Sequence, residues 1–184
     1  MHYTIGDYIE DLVQNSLEAG SPFTSIKVEE ANGFLEVRVE DTGKGMTEEE
    51  LSRALDPYGT DPSKHPGRKV GLGLPFLLHC VQTVGGEFHI QSAPGKGTTV
   101  FFRIPLNHID SPPLTNLTET FLQILTYPGN HEIRIDRSRE SESYTLHRSE
   151  LRETLEDLES VGSQALLKEY IQSLETSLEA QKVS

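Results

Sequence analysis

The sequence predicts an α+β protein on two observations. A helical apolar period is followed by two strand-like alternations, and the same helix–strand–strand order returns further along the chain. In residues 5–19, Ile9, Leu12, Val13 and Leu17 form one stripe while Asp11, Asn15 and Glu18 lie on another, and Gly20 supplies a stop. TSIKVEE (24–30) and FLEVRVE (34–40) alternate as half-buried strands do, and Asn32-Gly33 between them is a tight-hairpin signal. The second unit starts at Gly73, where Leu74, Leu77, Leu78, Val81 and Val84 restore the helical period. Pro75 is tolerated in a first turn, and Gly85-Gly86 closes the helix. Strands at about 87–92 (EFHIQS) and 98–104 (TTVFFRI) flank the turn APGKG.

Between the two units, residues 41–73 are rich in Gly and Pro and hold DTGKGM, LDPYGTDPSKHPGRK and GLG, too long for a passive connection. A break comes at 107–113, NHIDSPP. Beyond it the pattern reads as a helix near 115–126, a turn at Tyr127-Pro128-Gly129-Asn130, short strands near 131–135 and 144–147, and helix from about 149 to 180 interrupted near Gly162. The expected division is therefore a domain over 1–106, a linker over 107–113, and a small C-terminal α/β appendix, mostly helical, over 114–184.

Composition bounds the function. With 184 residues, 35% of them hydrophobic, the chain is globular in character. Sixteen Lys plus Arg against 29 Asp plus Glu give a net charge of -13, the wrong sign for a binder of nucleic-acid backbones. Cys80, the one cysteine, cannot form an internal disulfide, and no uninterrupted apolar run approaches the roughly 20 residues that span a bilayer. The expectation is a cytoplasmic protein that does not insert into membranes.

An acidic protein holds a nucleoside triphosphate through a divalent cation and backbone N–H groups, so the sequence should offer oxygen ligands and glycines. Asn15, on the polar face of the first helix, carries a carbonyl oxygen suited to Mg²⁺, and Asp11 projects from the same face one turn earlier. Asp41 ends a strand and is followed by Gly43 and Gly45, so a purine can approach the backbone while the carboxylate accepts from an exocyclic amine. Gly71 and Gly73 open a helix whose free N–H groups would meet phosphates. Thr98, starting a strand after Gly97, could reach the base by way of water.

DLVQN (11–15), DTGKGM (41–46), GLGL (71–74) and GKGTTVFF (95–102) resemble, in order, the four sequence boxes of the GHKL ATPases. That superfamily contains gyrase, heat-shock chaperone ATPases, sensor histidine kinases and mismatch-repair ATPases. The resemblance covers about 1–106 and implies the Bergerat fold, a two-layer α/β sandwich in which a mixed sheet carries helices on one face. It further implies ATP and Mg²⁺ between the first helix and a lid. By that resemblance Asn15 is the metal-binding asparagine and Asp41 the adenine-reading aspartate, with Thr98 sharing the adenine water. Gly43 and Gly45 shape the base pocket, Met46 packs on the purine, and Gly71, Leu72, Gly73 and Leu74 face the phosphates. Tyr58 stands near the usual aromatic of the lid. The helix text DLVQNSLEAGS is nearest in flavour to mismatch-repair enzymes, whereas the longer stretch from Ala54 to Leu106 follows sensor kinases.

Two departures bear on activity. Where hydrolysing members carry Glu, four residues before the Asn, this chain has Asp11, a shorter general base. Sensor kinases also place a dimerising helical hairpin with the phosphoacceptor His ahead of this domain, and here the first helix begins almost at Met1, so a kinase reading puts the acceptor on another chain or makes this other than a histidine kinase in the narrow sense.

Other features have plainer readings beside the sharper ones. Arg68 and Lys69 stand where they meet phosphates or stay solvated, and His79 and Cys80 point to different helical faces, as packing residues do. RSELRETL (148–155) echoes an acceptor box, but Ser149 stands where the His would be and reads as a helix N-cap, with His147 the weaker acceptor candidate. Leu167, Ile171, Leu174 and Leu178 have heptad-like spacing, which suits docking on the chain itself or a homodimer through the C-terminal helices. The first functional expectation is a histidine-kinase-like ATPase domain that transfers the γ-phosphoryl group of Mg·ATP to a partner protein in signal transduction. The rivals are an ATP hydrolase acting as a conformational switch and a nucleotide-sensing module without catalysis.

Overall fold

The structure, a computed structural model, describes residues 3–58 and 73–180. Helix α1 (Ile5–Glu18) leads into β1 (Phe23–Ala31) and β2 (Phe34–Asp41), followed by α2 (Glu48–Leu55) and α3 (Gly73–Thr83). Strands β3 (Glu87–Ala93) and β4 (Gly97–Pro105) come next, then α4 (Thr118–Thr126), β5 (Glu132–Arg139) and β6 (Glu142–His147). Helices α5 (Arg148–Leu155) and α6 (Val161–Ala180) close the order. One six-stranded sheet runs β3-β4-β2-β1-β5-β6, antiparallel throughout except for the parallel pair β1–β5.

The pleat sends alternate side chains to opposite faces, so register decides what each row contains. Across the buried face one row reads Ile90, Val100, Val39, Ile26, Ile135 and Leu146, each opposite the next. The adjacent row reads Phe88, Phe102, Val37 and Val28, then turns polar at Arg137 and Tyr144. The other face carries the exposed pairs Lys27–Glu29, Arg38–Glu40 and Arg134–Asp136. Those exposed pairs contribute little to stability; the division of faces is what orients the sheet toward its helices.

Helix α1 is the centre of the helical layer. A capping box formed by Thr4 and Asp7 starts it, and Ile5, Ile9, Leu12 and Val13 are buried against the sheet. It crosses α4 closely at Gly6, where a side chain would begin 2.3 Å from Thr120 Oγ1.

The segment after 113, expected as an appendix, contributes β5 and β6 to the same sheet, and α4 supplies Leu117, Phe121, Ile124 and Leu125 to the same core. Two buried arginines hold it. Arg148 donates to the carbonyls of Leu125 (3.0 Å), Tyr127 (3.0 Å) and His131 (2.9 Å), closing the turn between α4 and β5. Arg137 pairs with Glu30 of β1 and, at 3.2 Å, with Glu175 of α6, whose carboxylate also accepts from the Tyr144 hydroxyl. A buried charge left without its partner costs about 3–5 kcal/mol, so this cluster fixes where α6 sits. Leu167, Ile171 and Leu178 are buried in the chain's own core and Leu174 packs against it, so this stripe docks within the molecule.

Several expected bounds shift. Helix α2 lies inside the stretch read as loop; none of its residues is fully buried, its short stripe of Leu51, Ala54 and Leu55 being only partly covered, and Thr47 and Glu50 form a capping box at its start. Strand β5 runs on to Arg139, because the charged Arg137 faces inward and hides the alternation. The C-terminal helix breaks before Gly162, at Glu156 (φ 64°), and Asp157 Oδ1 accepts from the N–H groups of Glu159 and Ser160 there. Ser149 is not the N-cap of α5. His147 holds that position, and the Ser149 N–H instead donates to the Glu132 carboxylate.

Candidate functional site

The apolar rows of the sheet end in a polar one. Beyond Ile90, Val100, Val39 and Ile26 the next inward positions are Ser92, Thr98, Asp41 and Thr24. Asp41 is half-buried at the end of β2. Its Oδ1 accepts from the N–H of Gly43 (2.8 Å) and of Thr98 (3.3 Å), and its Oδ2 accepts from Ser16 Oγ (3.1 Å) on α1. A carboxylate has about four acceptor positions, so these three bonds orient the group and leave capacity for one further donor.

The DTGKGM loop is pinned on both sides. Lys44 donates its N–H to Ala19 O at the end of α1, and its carbonyl accepts from the Gly95 N–H in the β3–β4 turn. The Met46 N–H donates to Ser92 Oγ at 2.9 Å. Two glycines let the backbones meet so closely: a Cβ on Gly45 would lie 1.9 Å from Ala93 O, and one on Gly97 would lie 1.9 Å from Asp41 O. Both have positive φ, 66° and 78°, a region that costs other residues strain. The result is a close meeting of the DTGKGM loop with the β3–β4 turn beside an oriented carboxylate, whose remaining acceptor capacity suits an amino donor.

Helix α1 carries the remaining candidates. Asn15 is exposed, one residue before the Ser16 that bonds Asp41. Asp11, half-buried, lies against the start of α3, where a Cβ on Gly73 would fall 3.0 Å from Asp11 Oδ2. Among the described residues no group of three His, Cys, Asp or Glu is assembled as a metal cage. A magnesium ion that keeps its waters and takes substrate phosphates needs only one or two protein oxygens, so the Asn15 amide fits that role.

Of the other predicted residues, Gly43 is buried beside Asp41, Met46 is half-buried, and Leu74 packs in the core. Tyr58 is 93% exposed, its N–H donating to Asp56 Oδ1. Arg68, Lys69, Gly71 and Leu72 lie outside the described residues. His79 is exposed and Cys80 half-buried; burial raises the Cys80 thiol pKa against a hydrogen bond with the Tyr8 hydroxyl, which disfavours the thiolate. A separate hollow of about 630 Å³, lined by Pro22, His131, Arg148 and Arg152 among others, lies beside β5 and α5. It holds none of the predicted site residues.

Two hydroxyls went unread in the sequence. Ser16 follows Leu12 and Val13 on the buried stripe of α1, and Ser92 continues the inward alternation of Phe88 and Ile90. A polar residue at a core-facing position is the signal that marks each.

Residues 4–108 match the sequence profile of the family described as "Histidine kinase-, DNA gyrase B-, and HSP90-like ATPase". The sensor histidine kinase ZraS of Klebsiella oxytoca is 41% identical over 76 residues, which cover 41% of this chain and 16% of that kinase. Among solved structures, the N-terminal domain of a DNA repair protein shares the fold over 87% of this chain and 58% of its own, at TM-score 0.56 and 14% identity. The Aquifex aeolicus MutL ATPase domain complexed with ADP does so over 84% of this chain and 68% of its own, at TM-score 0.51 and 17% identity. The sequence likeness is thus to a small part of a kinase, and the likeness to the two solved domains is one of fold.

Proposed function

Because the chain belongs to the histidine kinase-, DNA gyrase B- and HSP90-like ATPase family, we propose that this histidine-kinase-like ATP-binding domain binds Mg·ATP and transfers the γ-phosphoryl group to a partner protein in signal transduction. The observation that carries the reading is Asp41, oriented by Ser16, Gly43 and Thr98 where Gly45 and Gly97 let the DTGKGM loop and the β3–β4 turn meet. The carboxylate accepts from the adenine amine, Thr98 completes the contact through water, and Met46 packs on the ring. Asn15 would hold the magnesium, which when bound would supply positive charge against the phosphates. The resemblance gives Lys69, Gly71, Leu72, Gly73 and Leu74 to the phosphate side of the site; of these, Gly73 and Leu74 open α3. Tyr58 belongs to the lid.

In the transfer the acceptor atom of the partner bonds to the γ-phosphorus as the bond from that phosphorus to the β,γ-bridging oxygen breaks, leaving ADP. Asp11 takes the acceptor's proton or orients the acceptor. Catalysis is otherwise positioning, and ATP places the work in the cytoplasm. Likeness to ZraS supports transfer in preference to hydrolysis.

A second reading is an ATP hydrolase acting as a conformational switch, with Asp11 orienting water. It is favoured by the fold shared with the MutL ATPase domain over 84% of this chain. Incubation with γ-labelled ATP and lysate proteins separates the two. A labelled partner that disappears with Asp41→Asn supports transfer; free labelled phosphate with no labelled protein, lost in Asp11→Asn, supports the switch. An unchanged ATP dissociation constant in Asp41→Asn removes both.

A further inference from the structure

The end of α1 grips the start of the DTGKGM loop at three places. Ser16 Oγ donates to the Asp41 carboxylate, Ala19 O accepts from the Lys44 N–H, and Ser21 Oγ accepts from the Thr42 N–H at 3.0 Å. Ser21 is itself tied to the helix, because its N–H donates to Ser16 O (3.1 Å), the closing bond of a Schellman end after the C-cap Ala19. Its buried hydroxyl gives its one proton to Phe23 O at 2.6 Å, which leaves its lone pairs to receive Thr42. The Thr42 N–H belongs to the peptide that follows Asp41. A peptide is a rigid plane, so holding that N–H fixes the ψ angle of Asp41. At the other edge of the plane Asp41 O comes so near Gly97 that a Cβ there would lie 1.9 Å from it. The Thr42 N–H also has Phe23 O at 3.2 Å, the continuation of the β1–β2 ladder, so it would not be stranded without Ser21. What the serine hydroxyl adds is direction.

We propose that Ser21 is a positioning residue for recognition of the adenine amine: it fixes the peptide after Asp41 and, with it, the line along which the carboxylate offers its remaining lone pair. The inference rests on the ATP reading above, in which Asp41 accepts directly from the 6-amino group. Without the Ser21 hydroxyl the Thr42 N–H relaxes onto Phe23 O alone, the peptide plane turns, and the carboxylate keeps its charge but leaves the line of the amine. The loss therefore falls on the amine contact and spares the rest of the nucleotide.

The test compares ATP with purine riboside 5′-triphosphate, which is ATP without the 6-amino group, by calorimetry on the full chain with magnesium present. Wild type is expected to prefer ATP about tenfold or more, the scale of one charge-assisted hydrogen bond. Ser21→Ala is expected to lower that preference about threefold or more, through weaker binding of ATP and not of the analogue. The ratio of the two dissociation constants decides, because a general loosening of the fold weakens both nucleotides alike. A Ser21→Ala that keeps the wild-type ratio, whether or not both bind more weakly, shows a merely structural serine and overturns the inference while the ATP reading stands. A wild type that binds no ATP, or binds both equally, overturns the reading of Asp41 and this inference with it. Should Ser21→Ala not fold, Ser21→Cys, whose thiol fills the space but accepts only weakly, is measured in the same way. An unchanged ratio there counts against the inference.

Discussion

The Ser16 hydroxyl reaches Asp41 Oδ2 at 3.1 Å, while also lying 3.1 Å from Leu12 O in the preceding turn of its own helix. One proton shared between a helix carbonyl and a strand-end carboxylate ties the position of β2's last residue to the position of α1. The helix that carries Asn15 and the strand that carries Asp41 are therefore joined directly through one side chain.

Ser16→Ala removes that tie without removing the carboxylate. ATP binding should weaken about threefold to tenfold, against a loss of about tenfold to a hundredfold for Asp41→Asn, where a charge-assisted bond worth about 1.5–3 kcal/mol is lost. Calorimetric titration ranks the two, and a Ser16→Ala loss as large as that of Asp41→Asn would contradict the division of roles.

Gly45→Ala would put a methyl within 1.9 Å of Ala93 O at a residue with φ 66°. Backbone strain alone costs about 1–3 kcal/mol, and the clash forces the β3–β4 turn away from the DTGKGM loop. The melting temperature should drop and nucleotide binding should be lost together. Gly20→Ala is the control, since that glycine also has positive φ (72°) but nothing lies within 4 Å of its added methyl.

Glu10 gives a pH signature. Burial holds its carboxyl above the usual range, against a hydrogen bond with Thr120, and the charges of Asp7 and Asp11 push the same way as burial. The folded state thus favours the protonated form, and stability falls as pH rises from the ordinary carboxylate range through the raised value. Glu10→Gln should raise the melting temperature at about pH 7, with the gain vanishing below about pH 4, where both side chains are neutral. A gain that persists undiminished in acid would mean that packing, not charge, is responsible.

Arg148→Ala strands three carbonyl oxygens, those of Leu125, Tyr127 and His131. Each unsatisfied buried group costs about 1–3 kcal/mol, so denaturant unfolding should show a loss of several kcal/mol. Arg148→Lys should recover little of it, because one ammonium cannot reproduce the planar fork.

Local pattern made α1, the β1–β2 hairpin and the α3–β3–β4 unit legible, since each announces itself within a few turns or one tight loop. What stayed hidden was of two kinds. Helix α2 is short and buries no residue fully, so its stripe of Leu51, Ala54 and Leu55 and its capping box were lost among the glycines and prolines around them. The parallel pairing of β1 with β5 joins Ile26 to Ile135, and pairing at such separation leaves no mark in local periodicity. At the site, Asp41, Gly45 and Thr98 stood out because carboxylate and glycines interrupt a strand pattern. Ser16 and Ser92 did not, because a single hydroxyl in an apolar row reads as a tolerated small residue.

The central place of β1 governs how the chain can be divided. If synthesis stopped after Pro105, one whole flank of β1, from Phe23 to Glu30, would hold amides and carbonyls meant for β5. That exposed ribbon would recruit any extended peptide it met, other copies of itself foremost. A shortened protein ending there should clump in solution, and the last eighty or so residues act as the seam that keeps the sheet to itself.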